Sequence, residues 1–246
     1  MQARRNTKRN AKTQSIRRNR TSHPSRRLGI ESLEARRLLT TNPLLIVTAA
    51  NGTGPGTLAD RIQIANSRAG ADRIVFDPSI QEIQPFAELL ITDALTIDGE
   101  NRVFINGTGS PRHGLIATAN HVEFSQLTVG NYTNGFGVIF SGVSSGWLHS
   151  SKIGTNLNGD SAKPNHAGVL ITSSSNVIIG ADSSGGTTKL GNLISGNNDW
   201  GVILDANSNN NRLSGNRIGT NASGQAPLPN AYGVGLWGKA SHNIIG

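Results

Sequence analysis

The chain repeats itself, and the repeat constrains the fold more than any other feature. Asn-x-x-Gly-Val recurs from Asn134, Asn165, Asn198 and Asn230, and its glycines, Gly137, Gly168, Gly201 and Gly233, lie 31, 33 and 32 positions apart. A longer period covers pairs of units: Ile153-Gly154-Thr155-Asn156 returns 65 positions on as Ile218-Gly219-Thr220-Asn221. Self-similarity at a fixed period marks stacked units that share one extended core.

Each unit holds apolar runs of three to five residues, such as Gly168–Ile171, Asn176–Gly180 and Asn192–Asn197, separated by Gly, Asn and Ser. Such runs are too short for helices and are rich in Val and Ile. Gly and Asn at their ends suit corners with positive φ. The Ala, Leu, Glu and Lys pattern of helical repeats is absent. Propeller blades, the all-β alternative, need about 40 residues and aromatic signatures. The reading is an all-β, right-handed parallel β-helix in which each turn hydrogen-bonds to the next at about 4.8 Å. Asparagines at equivalent corners are expected to pair their amides along the stack.

Charge divides the chain. Residues 1–40 carry twelve Lys and Arg against Glu31 and Glu34, a net of +10, while residues 41–246 carry a net of −2. The basic balance therefore belongs to a tail, residues 1–42, whose first 27 residues have too little apolar surface to order. A basic arm can neutralise phosphate, but this one lacks interleaved aromatics and is joined to an acidic body, so no nucleic-acid partner is assigned. No run approaches the 18 apolar residues of a transmembrane helix. The absence of Cys excludes thiol catalysis and Cys-ligated zinc.

Residues 43–114 form a different unit, expected to hold an N-terminal cap and the first turns; repeats fill 115–246. Leu44–Thr48 reads as a strand. Thr57 can cap a helix with Asp60 three residues on. Leu58, Ile62 and Ala65 fall on one helix face, Ile64 breaks the pattern, and Gly70 supplies the stop. Arg73–Phe76 is the next strand. A capping helix is what a stacked array needs to cover its core.

Two resemblances follow from these residues. Leu33-Glu34-Ala35-Arg36-Arg37-Leu38-Leu39 resembles the LEPR-XLL segment near the start of large exported bacterial proteins, typically from planctomycetes. Ala35 departs from the Pro of that pattern. The resemblance implies export, with Leu33, Glu34, Arg36, Leu38 and Leu39 as the export segment; the alternative is a short amphipathic helix packing on the body. Gly54-Pro55-Gly56-Thr57-Leu58, Ile64-Ala65-Asn66, Gly70-Ala71-Asp72-Arg73-Ile74-Val75-Phe76-Asp77-Pro78 and Leu95-Thr96-Ile97-Asp98-Gly99 resemble the opening of pectate-lyase-like β-helix repeat proteins of the bacterial cell surface. That resemblance implies an extracellular or cell-surface location and contact with polysaccharide or other surface proteins. One fold hosts many functions, so it assigns no chemistry.

Catalytic constellations are missing where such enzymes would carry them. Residues 124–246 contain only the carboxylates Asp160, Asp182, Asp199 and Asp205, with no spacing suited to a shared Ca²⁺ beside a base or to a paired-carboxylate hydrolase. The metal candidates are Asp93 and Asp98, which flank Leu95–Ile97; in the competing reading Asp98-Gly99 makes the turn after that strand. His113, His121, His149, His166 and His242 recur at no fixed unit position and read as surface residues. Trp200 and Trp237, at opposite ends of Gly-Val strands in different units, are the ligand-binding candidates, able to stack on sugars or to cover apolar edges. The triplets from Asn131 and Asn221 match the glycosylation pattern only as chance allows in so Asn-rich a chain.

The expectation is an exported β-helix with a structural, adhesive or glycan-contacting role, no assigned catalytic residue and no cofactor beyond a Ca²⁺ at Asp93 and Asp98. Its loops at 156–167, 181–191 and 220–232 are where binding is expected. The runner-up is a polysaccharide lyase or glycoside hydrolase whose catalytic units lie elsewhere. His242-Asn243-Ile244-Ile245-Gly246 matches Asn176–Gly180 of the earlier unit, with one extra residue inserted between the strands, and no helix, charged strand or Pro blunts the final turn. The chain is therefore expected to continue in a longer protein or to self-associate end to end.

Overall fold

The structure, a computed structural model, describes residues 42–109, 112–182 and 190–246. The basic tail to residue 41, with its Leu33–Leu39 motif, lies outside the described residues. From Phe136 three successive repeats contribute three strands each. These are β8 (Phe136–Ser141), β9 (Gly146–His149) and β10 (Lys152–Ile153), then β11 (Ala167–Thr172), β12 (Val177–Gly180) and β13 (Leu193–Ile194), then β14 (Trp200–Asp205), β15 (Arg212–Ser214) and β16 (Arg217–Ile218). The first strand of each triplet joins a six-stranded sheet, and the second and third join a twelve-stranded one.

Every strand pairs in parallel with its counterpart in the next repeat. Val138 lies beside Val169, Val169 beside Val202, and Val202 beside Val234 of β17 (Tyr232–Leu236). The expected parallel, all-β architecture is present, with α1 (Leu58–Asn66) the one helix among the described residues. Two early strands of the twelve-stranded sheet are longer than their later counterparts. β5 (Leu95–Asn106) and β7 (Val122–Gly130) run through a bend that later repeats break into two strands. The bend is made by positive φ at Glu100, Asn101 and Gln126, as it is at Ser150 between β9 and β10.

Alternation along each strand sets the core. Val138 and Phe140, Val169 and Ile171, and Val202 and Leu204 are fully buried. Ile203 lies between two buried positions and is only half-buried, so it faces outward. The strand period of two puts one face of β14 in the core and the other outside. An outward carboxylate stays hydrated, whereas one at Leu204 has no partner. Leu204→Asp is therefore expected to cost roughly 4 kcal/mol, read as a lowered urea midpoint, while Ile203→Asp leaves the midpoint within about 1 kcal/mol of the parent.

The helix forms where the capping signals place it. Thr57 Oγ1 accepts from the Asp60 N–H, and an Asp60 carboxylate oxygen accepts from the Gly56 N–H, which satisfies two early donors reciprocally. Leu58, Ile62 and Ala65 are buried. Two details differ from the sequence reading. Ile64 packs half-buried against the same core rather than breaking the face. The helix ends at Asn66, not at Gly70. The Asn66 amide donates to the Leu90 carbonyl and accepts from the Thr92 N–H, tying the helix end to β4 (Leu89–Ile91) before the left-handed Gly70 is reached.

The corners carry amide ladders. At one, Asn165 Nδ2 donates to Asn197 Oδ1 at 2.9 Å, and Asn197 Nδ2 donates to Asn230 Oδ1 at 2.8 Å. Their remaining groups cap backbone: Asn165 Oδ1 accepts from the Tyr132 N–H, and Asn230 Nδ2 donates to the Ile194 carbonyl. A second ladder joins Ser151, Asn192 and Asn216, and a third joins Asn211 to Asn243. The expected stacking is present, but through Asn197 and not the motif's Asn198, which is exposed. This unit is one residue longer, and the extra residue is extruded so that the amide keeps its register. Asn197→Ala strands buried partners and is expected to lose about 2 kcal/mol. Asn198→Ala is expected to be near neutral in the same unfolding measurement.

Candidate functional site

The parallel register turns repeat position into columns on the outer face of the twelve-stranded sheet. One column runs Arg73, Thr96, Glu123, Trp147, Ile178 and Arg212. The adjoining one places Asp98 beside Ser125 and Ser125 beside His149. Residues 23 to 34 positions apart in the chain therefore become neighbours about 4.8 Å apart.

Four charged or titratable groups in these columns pair, Arg73 with Asp98 and Glu123 with His149. Arg73 Nη2 donates to Asp98 Oδ2 at 2.7 Å. His149 Nε2 lies 3.0 Å from Glu123 Oε1, and its Nδ1 lies 3.2 Å from Ser150 Oγ. The ring is buried and tilts against Trp147 with centroids 4.1 Å apart. Trp147 is held in turn by its indole N–H, which donates to the Gly180 carbonyl. The bond from His149 holds the Glu123 carboxyl below its usual range, and desolvation opposes this only in part. Ser151 is buried and structural: its hydroxyl donates to the His149 carbonyl and accepts from the Leu127 N–H.

Beside this cluster lies a groove of about 790 Å³. Asn101, Gln126, His149, Ser150, Lys152 and Arg217 line it. Lys152, Leu193 and Arg217 share a column along one wall, and burial pushes the Lys152 ammonium below its ordinary value. The loops that follow Gly154 and Gly219 close over this wall. They are the two copies of the 65-residue motif. Each is pinched by an antiparallel bridge, Thr155 to Ala162 and Thr220 to Pro227, and they meet where the Ala222 N–H donates to the Gly159 carbonyl at 2.8 Å. A Cβ on Gly159 would lie 2.6 Å from Leu193 and 2.8 Å from Ala222, so the close approach requires glycine there.

The residues singled out from the sequence land elsewhere. Both carboxylate oxygens of Asp98 are engaged, by Arg73, Gln126 and the Glu100 N–H. Asp93 accepts from its neighbour, the Ala94 N–H. The turn expected at Asp98-Gly99 falls at Glu100 and Asn101, with Asp98 capping it. Among the described residues no three His, Asp or Glu gather as a metal site.

Trp200 and Trp237 meet although they occupy opposite strand ends. Gly235 removes the side chain between them: a Cβ there would touch both indoles at 2.9 Å. Trp200 stacks on Tyr232 with centroids 4.5 Å apart and meets Trp237 edge-on at 5.6 Å. Trp237 and Tyr232 nevertheless remain more than half exposed, so the cluster presents aromatic surface to solvent.

The sequence reading missed Glu123, Ser150 and Lys152, and it took His149, which is buried, for a surface residue. The signal that could have found them is the shorter period of the early repeats, which aligns Leu95–Gly99, Val122–Gln126 and Gly146–Ser150. No family model matches this chain, and neither a curated protein nor a solved structure matches it significantly.

The Glu123–His149 bond predicts a pH effect. Because the folded carboxyl titrates below its unfolded value, near 4.5, its stabilisation is complete above that value and is lost as pH falls through the folded one. The stability difference between the parent and Glu123→Gln is expected to shrink between pH 6 and pH 3 in urea titrations. A difference independent of pH would contradict the assignment.

Proposed function

We propose that this protein is an exported, cell-surface right-handed parallel β-helix that contacts glycan in the groove between Lys152 and Arg217. The handedness is supported by the parallel pairing of consecutive repeats, since crossovers between parallel strands are right-handed in nearly all sheets. Export rests on the LEPR-XLL resemblance at Leu33–Leu39.

The observation that carries the glycan reading is the lining of the groove. The Asn101 and Gln126 amides are joined by a 2.7 Å bond and offer further donors and acceptors to hydroxyl groups. Lys152 and Arg217 stand on the same wall on either side of the buried Leu193, and their side chains add charged donors for sugar hydroxyl groups. One wall of the groove is built on paired strands, and the loops over it are tied together by the Ala222–Gly159 bond, which favours a geometry set before a ligand arrives. The folded part carries net negative charge, which fits a polysaccharide partner better than a nucleic acid.

A glycan array on the full chain, followed by titration of the best binder, tests this. Gln126→Ala combined with Arg217→Ala is expected to weaken binding at least tenfold, about 1.4 kcal/mol, while Trp237→Ala leaves it unchanged. The reverse pattern would move the site to the Trp200–Trp237 cluster, and no binding to any glycan would remove the reading.

A further inference from the structure

We infer that Ser150, His149 and Glu123 form a nucleophile, a general base and a positioning carboxylate able to cleave small acyl esters in the same groove. The three groups lie in line: Ser150 Oγ is 3.2 Å from His149 Nδ1, and His149 Nε2 is 3.0 Å from Glu123 Oε1. An ionised carboxylate only accepts hydrogen bonds, so Glu123 holds the ring proton on Nε2 and leaves Nδ1 as the acceptor. That is the tautomer a base needs to take the hydroxyl proton.

The backbone explains how adjacent residues come to face each other. Side chains at i and i+1 in a strand point to opposite faces. Ser150 has φ +52°, which breaks the alternation and turns its hydroxyl toward the ring of His149. Trp147 fixes that ring from one side, and both His149 and Ser150 line the groove. Lys152 lines the same groove.

The reaction balances with water as the only co-reactant. Ser150 Oγ bonds to the ester carbonyl carbon as its proton passes to His149 Nδ1. The ring returns that proton to the departing alkoxide oxygen as the ester C–O bond breaks, leaving an acyl-serine. Water then adds to the acyl carbon, giving its proton to Nδ1. The free acid leaves and Ser150 Oγ regains the proton. Glu123 accepts from Nε2 throughout and never bonds to substrate. This activity requires a small acyl group and not a bound glycan, so it stands or falls separately from the proposed binding function.

The test uses the full chain with 4-nitrophenyl acetate, read as released 4-nitrophenolate, and a fluorophosphonate probe located by peptide mass spectrometry. The probe is expected on Ser150. Ser150→Ala is expected to lower kcat about a thousandfold, whereas Ser223→Ala, in an exposed loop, leaves it unchanged. Glu123→Gln is expected to retain labelling of Ser150 and to move the acidic limb of the pH–rate profile to lower pH, because the protonated ring loses its carboxylate. A purely structural Glu123 would not move that limb. Turnover unchanged in Ser150→Ala, or a parent chain with neither turnover above buffer nor probe on Ser150, overturns the inference.

Discussion

A buried asparagine amide that bridges one turn to the next is the interaction on which the rest of this fold depends. Strand pairing satisfies backbone groups along the flat faces but leaves those at each corner without partners. An unmade buried hydrogen bond costs about 1–3 kcal/mol, and the corners recur with every turn. Asn165, Asn197 and Asn230 meet that demand at one corner, and Asn192 with Asn216 at another. Each amide both donates and accepts, so the chain of bonds extends along the stack without an unpaired group at each step. The same amide also reaches a backbone carbonyl of the neighbouring turn: Asn192 bonds to Leu148, and Asn216 to Ile179.

The ladders have a second effect, because they lock register. A slip of one residue would carry a strand's buried set to the outside. It would also break every amide contact at the corner. The unit containing Asn198 shows which constraint wins: the chain extrudes a residue and keeps Asn197 in line. Fixed register then dictates what stands beside what on the outer face. Glu123 and His149 lie 26 positions apart in the chain and are brought together because 122–125 and 146–149 pair in parallel.

This explains which parts of the structure were legible in the sequence. The spacing of Gly137, Gly168, Gly201 and Gly233 revealed the parallel stack, and Thr57 with Leu58, Ile62 and Ala65 revealed the helix. Both signals are local or strictly periodic. The face of Ile203 was not legible, because three consecutive apolar residues do not state which is outward. The end of the helix was set by Asn66 bonding to β4, a tertiary contact that outran the local signal at Gly70. The meeting of Trp200 with Trp237 depends on the missing side chain of Gly235. The His149 cluster was hidden because paired residues of the early repeats lie 22 to 29 positions apart and the Gly-Val motifs of the later ones 31 to 33. A single period therefore could not align them.

The uneven repeat length also builds the groove. Where the chain turns directly, as at Ser195–Asn197, nothing projects and the wall stays open. Where it makes the detours begun by Thr155-Asn156 and Thr220-Asn221, a pinched loop stands out beside that wall. The detours recur at every second turn, and their backbones still touch across the short turn between them. Leu193 of that short turn is therefore roofed by Gly159 and flanked by Lys152 and Arg217. Asn156 and Asn221 hold the two loops in the same way, each side chain accepting from backbone N–H groups four and five residues on. The alternation of long and short turns is thus what converts a regular parallel stack into a surface with a recess. It leaves Ser150 and His149 at the edge of that recess, where a ligand held by the wall would meet them.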